Sequence, residues 1–131
     1  MASGPGVTKA RAVLDMLLSG GAKMRMWTVA PGFDGTGGTE TVPGGGVPTV
    51  SWSPAVAGSG GQIAKAASST STVLANMAVA STAIAAVSYH DPADDSLIAL
   101  DNSPTLPLSW AVGESPMFPA GSLVIPFVPV A

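Results

Sequence analysis

Cysteine is absent from this chain of 131 residues. That removes disulfides, thiolate metal sites and cysteine nucleophiles together. Charge is scarce: Lys, Arg, Asp and Glu make up 10% of the sequence, against about 25% in soluble domains generally. The five basic residues deny nucleic-acid binding its electrostatic footing. There is one histidine, too few for a zinc site without carboxylates beside it. Long, purely apolar runs are missing too. The 25 residues between Lys65 and Asp91 carry no formal charge and are long enough to span a bilayer. Yet Ala66–Tyr89 is full of Ser, Thr and Asn, so no membrane partner is expected. No cleavable leader is visible, because the only apolar stretch near the N-terminus contains Asp15.

What is present is glycine, proline and small apolar residues. Sixteen glycines and twelve prolines approach the level of aperiodic disordered chains. Disorder also needs few apolar residues and high net charge, and here 47% of residues are hydrophobic with a net charge of −3. Mean hydropathy is +0.44. A single domain over residues 1–131 with so few charges is expected to bury surface against other chains.

The first seven residues read as a flexible start. From Thr8 to Ser19 the spacing turns helical, with Val13, Leu14, Leu17 and Leu18 on one stripe. Thr8 is the expected N-cap and Gly20-Gly21 the stop. After residue 22 the period is that of strands. Lys23–Ala30 alternates, and Pro31–Gly46 reads as a glycine-rich loop that adds little to stability. Strands are expected at Val47–Ser53, Ile63–Ala67, Leu106–Val112 and Leu123–Val128. The last of these runs on through Pro129 and Val130; Pro126 and Pro129 place it at a sheet edge. Val73–Val79 and Ala83–Tyr89 read as two strands joined at Ser81-Thr82, and Leu97–Asp101 returns as a hairpin across Pro92–Ser96. The fold class that follows is mainly β: an antiparallel sandwich or barrel, jelly-roll-like, behind one short N-terminal helix at about 8–19.

Groups for chemistry are thin. His90 reads as a solvated residue beside a turn. Asp91, Asp94 and Asp95 lack the alternation and central glycine of a calcium loop and read as turn formers. Gly35–Gly38 and Gly44–Gly46 are not followed by Lys-Ser/Thr or by a helix, so no phosphate loop is expected. No Gly-x-Ser-x-Gly elbow exists. No enzyme activity, catalytic residue, metal or cofactor is therefore expected. Trp27, Trp52 and Trp110 read as core or interface residues, with stacking on a glycan as their functional alternative. The charges are unevenly spread. Lys9, Arg11, Lys23 and Arg25 face only Asp15 in the first 25 residues, a balance of +3, while Lys65 faces seven acids afterwards, a balance of −6. These four cations, with Val13, Leu14, Leu17 and Leu18, form a candidate docking surface. The same stripe serves equally well to cover the protein's own sheet.

The order of segments resembles a family of small tailed-bacteriophage virion proteins, known as head-decoration or tail-fibre proteins. The resemblance runs through the helix Ala10–Leu18, the strand Lys23–Val29, the glycine-rich Thr39–Val50 and the segment Trp52-Ser53-Pro54-Ala55. It continues in the hairpin Ala86–Ile98 and is closest over Val112–Ile125, which is similar to "VNAGDTxxFPAGALTI". Asp94-Asp95 stands where that family has Gly-Gly, and the final strand has two extra prolines. The resemblance implies a structural virion protein without catalytic residues, docking on the major capsid protein or on other virion proteins. It also implies a homo-oligomer, a trimer for instance, located on the capsid surface or tail after assembly in the host cytoplasm. Capsid decoration is the first expectation. A tail-fibre role contacting host glycans through Trp27, Trp52 or Trp110 is the alternative.

Overall fold

The computed structural model describes residues 4–128. Met1–Ser3 of the expected flexible start, and Pro129 and Val130 of the expected last strand, lie outside the described residues. In chain order the elements are α1 (Val7–Leu17), β1 (Ala22–Val29), β2 (Thr39–Thr41), β3 (Thr49–Val50), β4 (Val56–Ala57) and β5 (Ala64–Ala67). There follow β6 (Thr72–Val73), a 3-10 turn (Ser81–Ala83), β7 (Ala86–His90), β8 (Leu97–Asp101), β9 (Met117–Phe118) and β10 (Val124–Phe127). The chain is mainly β with one N-terminal helix, and every strand pairing is antiparallel.

Strand β1 organises the largest sheet. Its even residues Ala22, Met24 and Met26 are buried, as the alternation of a half-covered strand requires. One edge of β1 takes β2 and β3 in succession, and the other takes β7 and then β8. A second sheet runs β10-β5-β4, and β6 pairs with β9 alone. Between them lies one core, with Met24, Met26, Leu74, Met77 and Phe118 almost fully enclosed. In β10, Leu123 O and Phe127 O accept from Ser68 N and Ile63 N, so the intervening Pro126 turns its hydrogen-less nitrogen to the open side. Proline thus removes no ladder bond and blunts the edge, as expected of an edge strand.

Helix α1 lies against β5 and β4. It presents Ala10, Leu14 and Leu18, spaced by four, and all three are buried. Ala64 and Ala66 beneath it are fully covered and small enough to let the helix approach closely. The N-cap is Gly6, without a side-chain bond, and the expected cap Thr8 lies inside the helix. Gly21 ends the turn at φ +78 with its N–H on Leu18 O. A Cβ there would meet Val50 O at 3.0 Å, so glycine fits on both counts.

Several expected strands are absent or shorter. Leu106–Val112 is irregular, because Pro104 and Pro107 interrupt any ladder. Trp110 is buried all the same, with its indole N–H donating to Val79 O at 3.0 Å. The expected pair at Val73–Tyr89 is no hairpin: β6 stops at Val73, and Asn76 takes a left-handed φ of 56. Leu74 N and Met77 N instead donate to Pro116 O and Glu114 O, while β7 pairs with β1 and β8. Val47–Ser53 shrinks to β3, held short by Pro48 before it. Nor is Pro31–Gly46 loop throughout. It contains β2, and Gly44 N and Gly45 N donate to Asn76 O and Ala75 O.

Candidate functional site

The polar residues converge on the outer face of the five-stranded sheet. Pairing places Lys23 opposite His90, Arg25 opposite Ser88 and Trp27 opposite Ala86 on β7, with Glu40 of β2 beside Trp27. Arg25 is the centre of this face. Its Nη1 donates to both oxygens of Glu40 at 3.0 and 2.9 Å. Its Nε and Nη2 donate to Asp95 at 3.3, 3.1 and 3.0 Å. One guanidinium fork therefore fastens β2 and the β7–β8 turn to β1 at once. Burial works against its charge, but the bonds to Asp95 and Glu40 and their negative charge outweigh that, leaving Arg25 above its ordinary pKa.

Beneath the fork runs a buried chain of hydrogen bonds. Trp27 Nε1–H donates to Ser88 Oγ at 2.8 Å. Ser88 Oγ lies 2.7 Å from His90 Nε2, and His90 Nδ1 lies 3.0 Å from the main-chain oxygen of Asp95. That oxygen can only accept, so Nδ1 is the donor, and in that tautomer Nε2 accepts from the Ser88 hydroxyl. Each side-chain nitrogen and oxygen of this Trp27–Ser88–His90 network has a partner. His90 is 5% exposed, which corrects the expectation of a solvated residue: both ring nitrogens are engaged, one by Ser88 and one by the main chain of the turn.

Serine, histidine and aspartate side by side invite a nucleophile reading, and the geometry speaks against it. Ser88 is fully buried and offers no surface to a substrate. Its oxygen already accepts from Trp27, and the Asp95 carboxylate stands 4.0 Å from His90 Nδ1. Above the fork is an open hollow of about 330 Å³, lined by Arg25, Asp34, Glu40, His90 and Asp95. Asp34 and Asp94 cap their own turns. Asp34 is held below the usual carboxylate range by the Thr36 N–H and hydroxyl, and Asp94 by the Ser96 hydroxyl and N–H. Among the described residues, no three His, Asp or Glu side chains come together as a metal site. No helix among them is long and apolar enough to cross a membrane.

The residues expected to dock on a partner are scattered. Leu14 and Leu18 are turned into the core, and Val13 is half-buried. The helix thus covers its own sheet through Leu14 and Leu18, which takes that half of the stripe out of any docking surface. Leu17, Lys9 and Arg11 are exposed, though Arg11 Nε is tied to Ala55 O at 2.9 Å. Lys23 is half-buried, and Arg25 is engaged as described. Trp27 and Trp110 are buried with their N–H groups bonded inside, which leaves little of either ring for a glycan, although Trp27 also lines the hollow above the fork. Trp52 is half-buried and meets Tyr89 edge-to-face at 5.3 Å; its enclosed Nε1 has no hydrogen-bond partner.

What the surface does offer is apolar. Twelve large hydrophobic side chains among the described residues are at least 40% exposed, led by Phe33 at 74%, Met16 at 68% and Val112 at 66%. They are spread over the helix, the glycine-rich loop and both smaller sheets. The low charge leads to an expectation of apolar contact with other chains, without indicating where on the surface. No protein-family model, no curated protein and no solved structure matches the chain.

Proposed function

We propose that this chain is a non-enzymatic structural protein of a tailed-bacteriophage virion, docking on the major capsid shell as a decoration protein. The observation that carries the reading is the surface: a small, charge-poor β domain that leaves a dozen large apolar side chains open. A monomer gains nothing from such a surface, whereas a protein held in many copies on a shell covers it. The ordered resemblance of its segments to small virion proteins supplies the choice of assembly. The tail-fibre alternative relied on tryptophan faces for glycans, and two of the three indoles are enclosed. The test is quantitative mass spectrometry of purified virions of the phage that encodes the chain. Copies in proportion to the major capsid protein are expected. Absence from the virion, or copies in proportion to tail proteins, would overturn the reading.

A further inference from the structure

The outer face of the β4–β5–β10 sheet is an unpartnered apolar surface with a single cation at its centre. Register sets Val56, Lys65 and Pro126 side by side across the three strands, with Ala67 beside Val124 in the next row. Val56 is 50% and Val124 41% exposed, and Pro126 is exposed as well. The other face of these strands, with Ala64, Ala66 and Ile125, is the covered one. Lys65 is the only basic residue after position 25, and it has no ion-pair partner among the described residues. A lone ammonium in an apolar patch lays its stem along the surface and favours an apolar partner that brings a carboxylate. Asp101 lines the groove on the β8 side of Val124 and Pro126, which leaves the β4 side for an acidic approach.

The chain carries the complementary surface itself. Val73 and Met117 stand directly opposite each other in the β6–β9 ladder, 48% and 54% exposed. The same ladder continues through Leu74 N to Pro116 O and Met77 N to Glu114 O, bringing in Glu114 and the 66%-exposed Val112. Glu114 holds Ala111 N–H at 2.6 Å with one carboxylate oxygen and keeps the other free. We infer that the Val56–Lys65–Val124 face of one copy docks on the Val73–Met117–Glu114 ladder of a second copy of this chain. The inference rests on the reading of the chain as an assembling structural subunit. Because the two patches differ, the contact is head to tail, and it repeats into a ring or a filament.

Sedimentation velocity of the purified full chain over a concentration series, with no capsid present, tests this. The wild type should associate as concentration rises. Lys65→Glu and Glu114→Lys should each weaken association by at least about tenfold, since each places like charges together. Both changes in one chain should restore most of it. An equimolar mixture of the two single variants should regain association in alternating order, because each variant's sheet face then meets a ladder of opposite charge on the other variant. Val56→Ser with Val124→Ser should abolish association with all charges in place. Circular dichroism and melting of each variant establish that it is folded. A wild type that stays monomeric, a single reversal that associates normally, or a folded double variant that does not recover would each overturn the inference. Capsid binding is measured separately, so failure here leaves the virion reading where it stood.

Discussion

At the scale of single residues, Ser88 has the most to lose. Its hydroxyl accepts from Trp27 and meets His90, and it is fully buried. Ser88→Ala leaves an indole N–H and a ring nitrogen without partners and should cost about 1–3 kcal/mol in urea unfolding. Tyr89, the chain's single tyrosine, gives a spectroscopic handle. Burial pushes its phenol up, and the Asp101 charge adds to this. The unfolded chain therefore ionises first. The stability Tyr89 contributes is fully present below its ordinary value of 10.0 and falls as pH rises beyond it. Tyrosinate absorbance of the folded protein should stay flat through that value and appear with unfolding, and Tyr89→Phe should lessen the alkaline loss of stability. Part of this site was legible in advance. On a strand, residues two apart share a face, so Ser88 and His90 belong together by spacing alone. Their burial was not legible, because it depends on Arg25, Glu40 and Asp95 arriving from three other segments.

At the scale of elements, the helix is part of the core. Leu14→Ala should cost about 2–5 kcal/mol, and removal of residues 1–20 should give an insoluble or unfolded product. Met16→Ser, at a 68%-exposed position of the same helix, should leave stability unchanged, and thermal melting of the two variants distinguishes the faces. The glycine-rich segment divides in the same way. Shortening the Gly35–Gly37 tip should change stability by less than about 1 kcal/mol. Gly45→Ala should cost about 1–3 kcal/mol, because its Cβ would stand 2.6 Å from that of Ala75. The helix, β1, β5 and the β7–β8 hairpin were readable from periodicity, since each is amphipathic or a continuous apolar run. The misread stretches share a cause. Val73–Val79 and Leu106–Val112 have strand-like composition, yet Asn76 at φ 56 and the prolines at 104 and 107 turn them into covering segments. Composition alone does not reveal which neighbour supplies the hydrogen bonds.

At the scale of the whole molecule, low charge and exposed apolar area are two views of one property. With few carboxylates and cations to hold water over the surface, the exposed apolar side chains are the natural contacts for the assembly proposed above. Its basic groups differ in setting: Arg25 is spent on internal clamping, Lys9 is exposed on the helix with no ion pair among the described residues, and Lys65 lies within an apolar sheet face. Reversing Lys9 to Glu should slow association with an acidic shell and flatten its salt dependence, measurable by stopped-flow binding to capsids. The central claim is that this surface is made to be covered on a capsid. If the proposed virion role holds, the direct measurement is imaging of capsids that lack the protein after purified protein is added to them. Regular density over the capsid lattice is expected, fitted by this fold with its exposed valine faces in contact with neighbours. Bare capsids, or density confined to the tail, would contradict it.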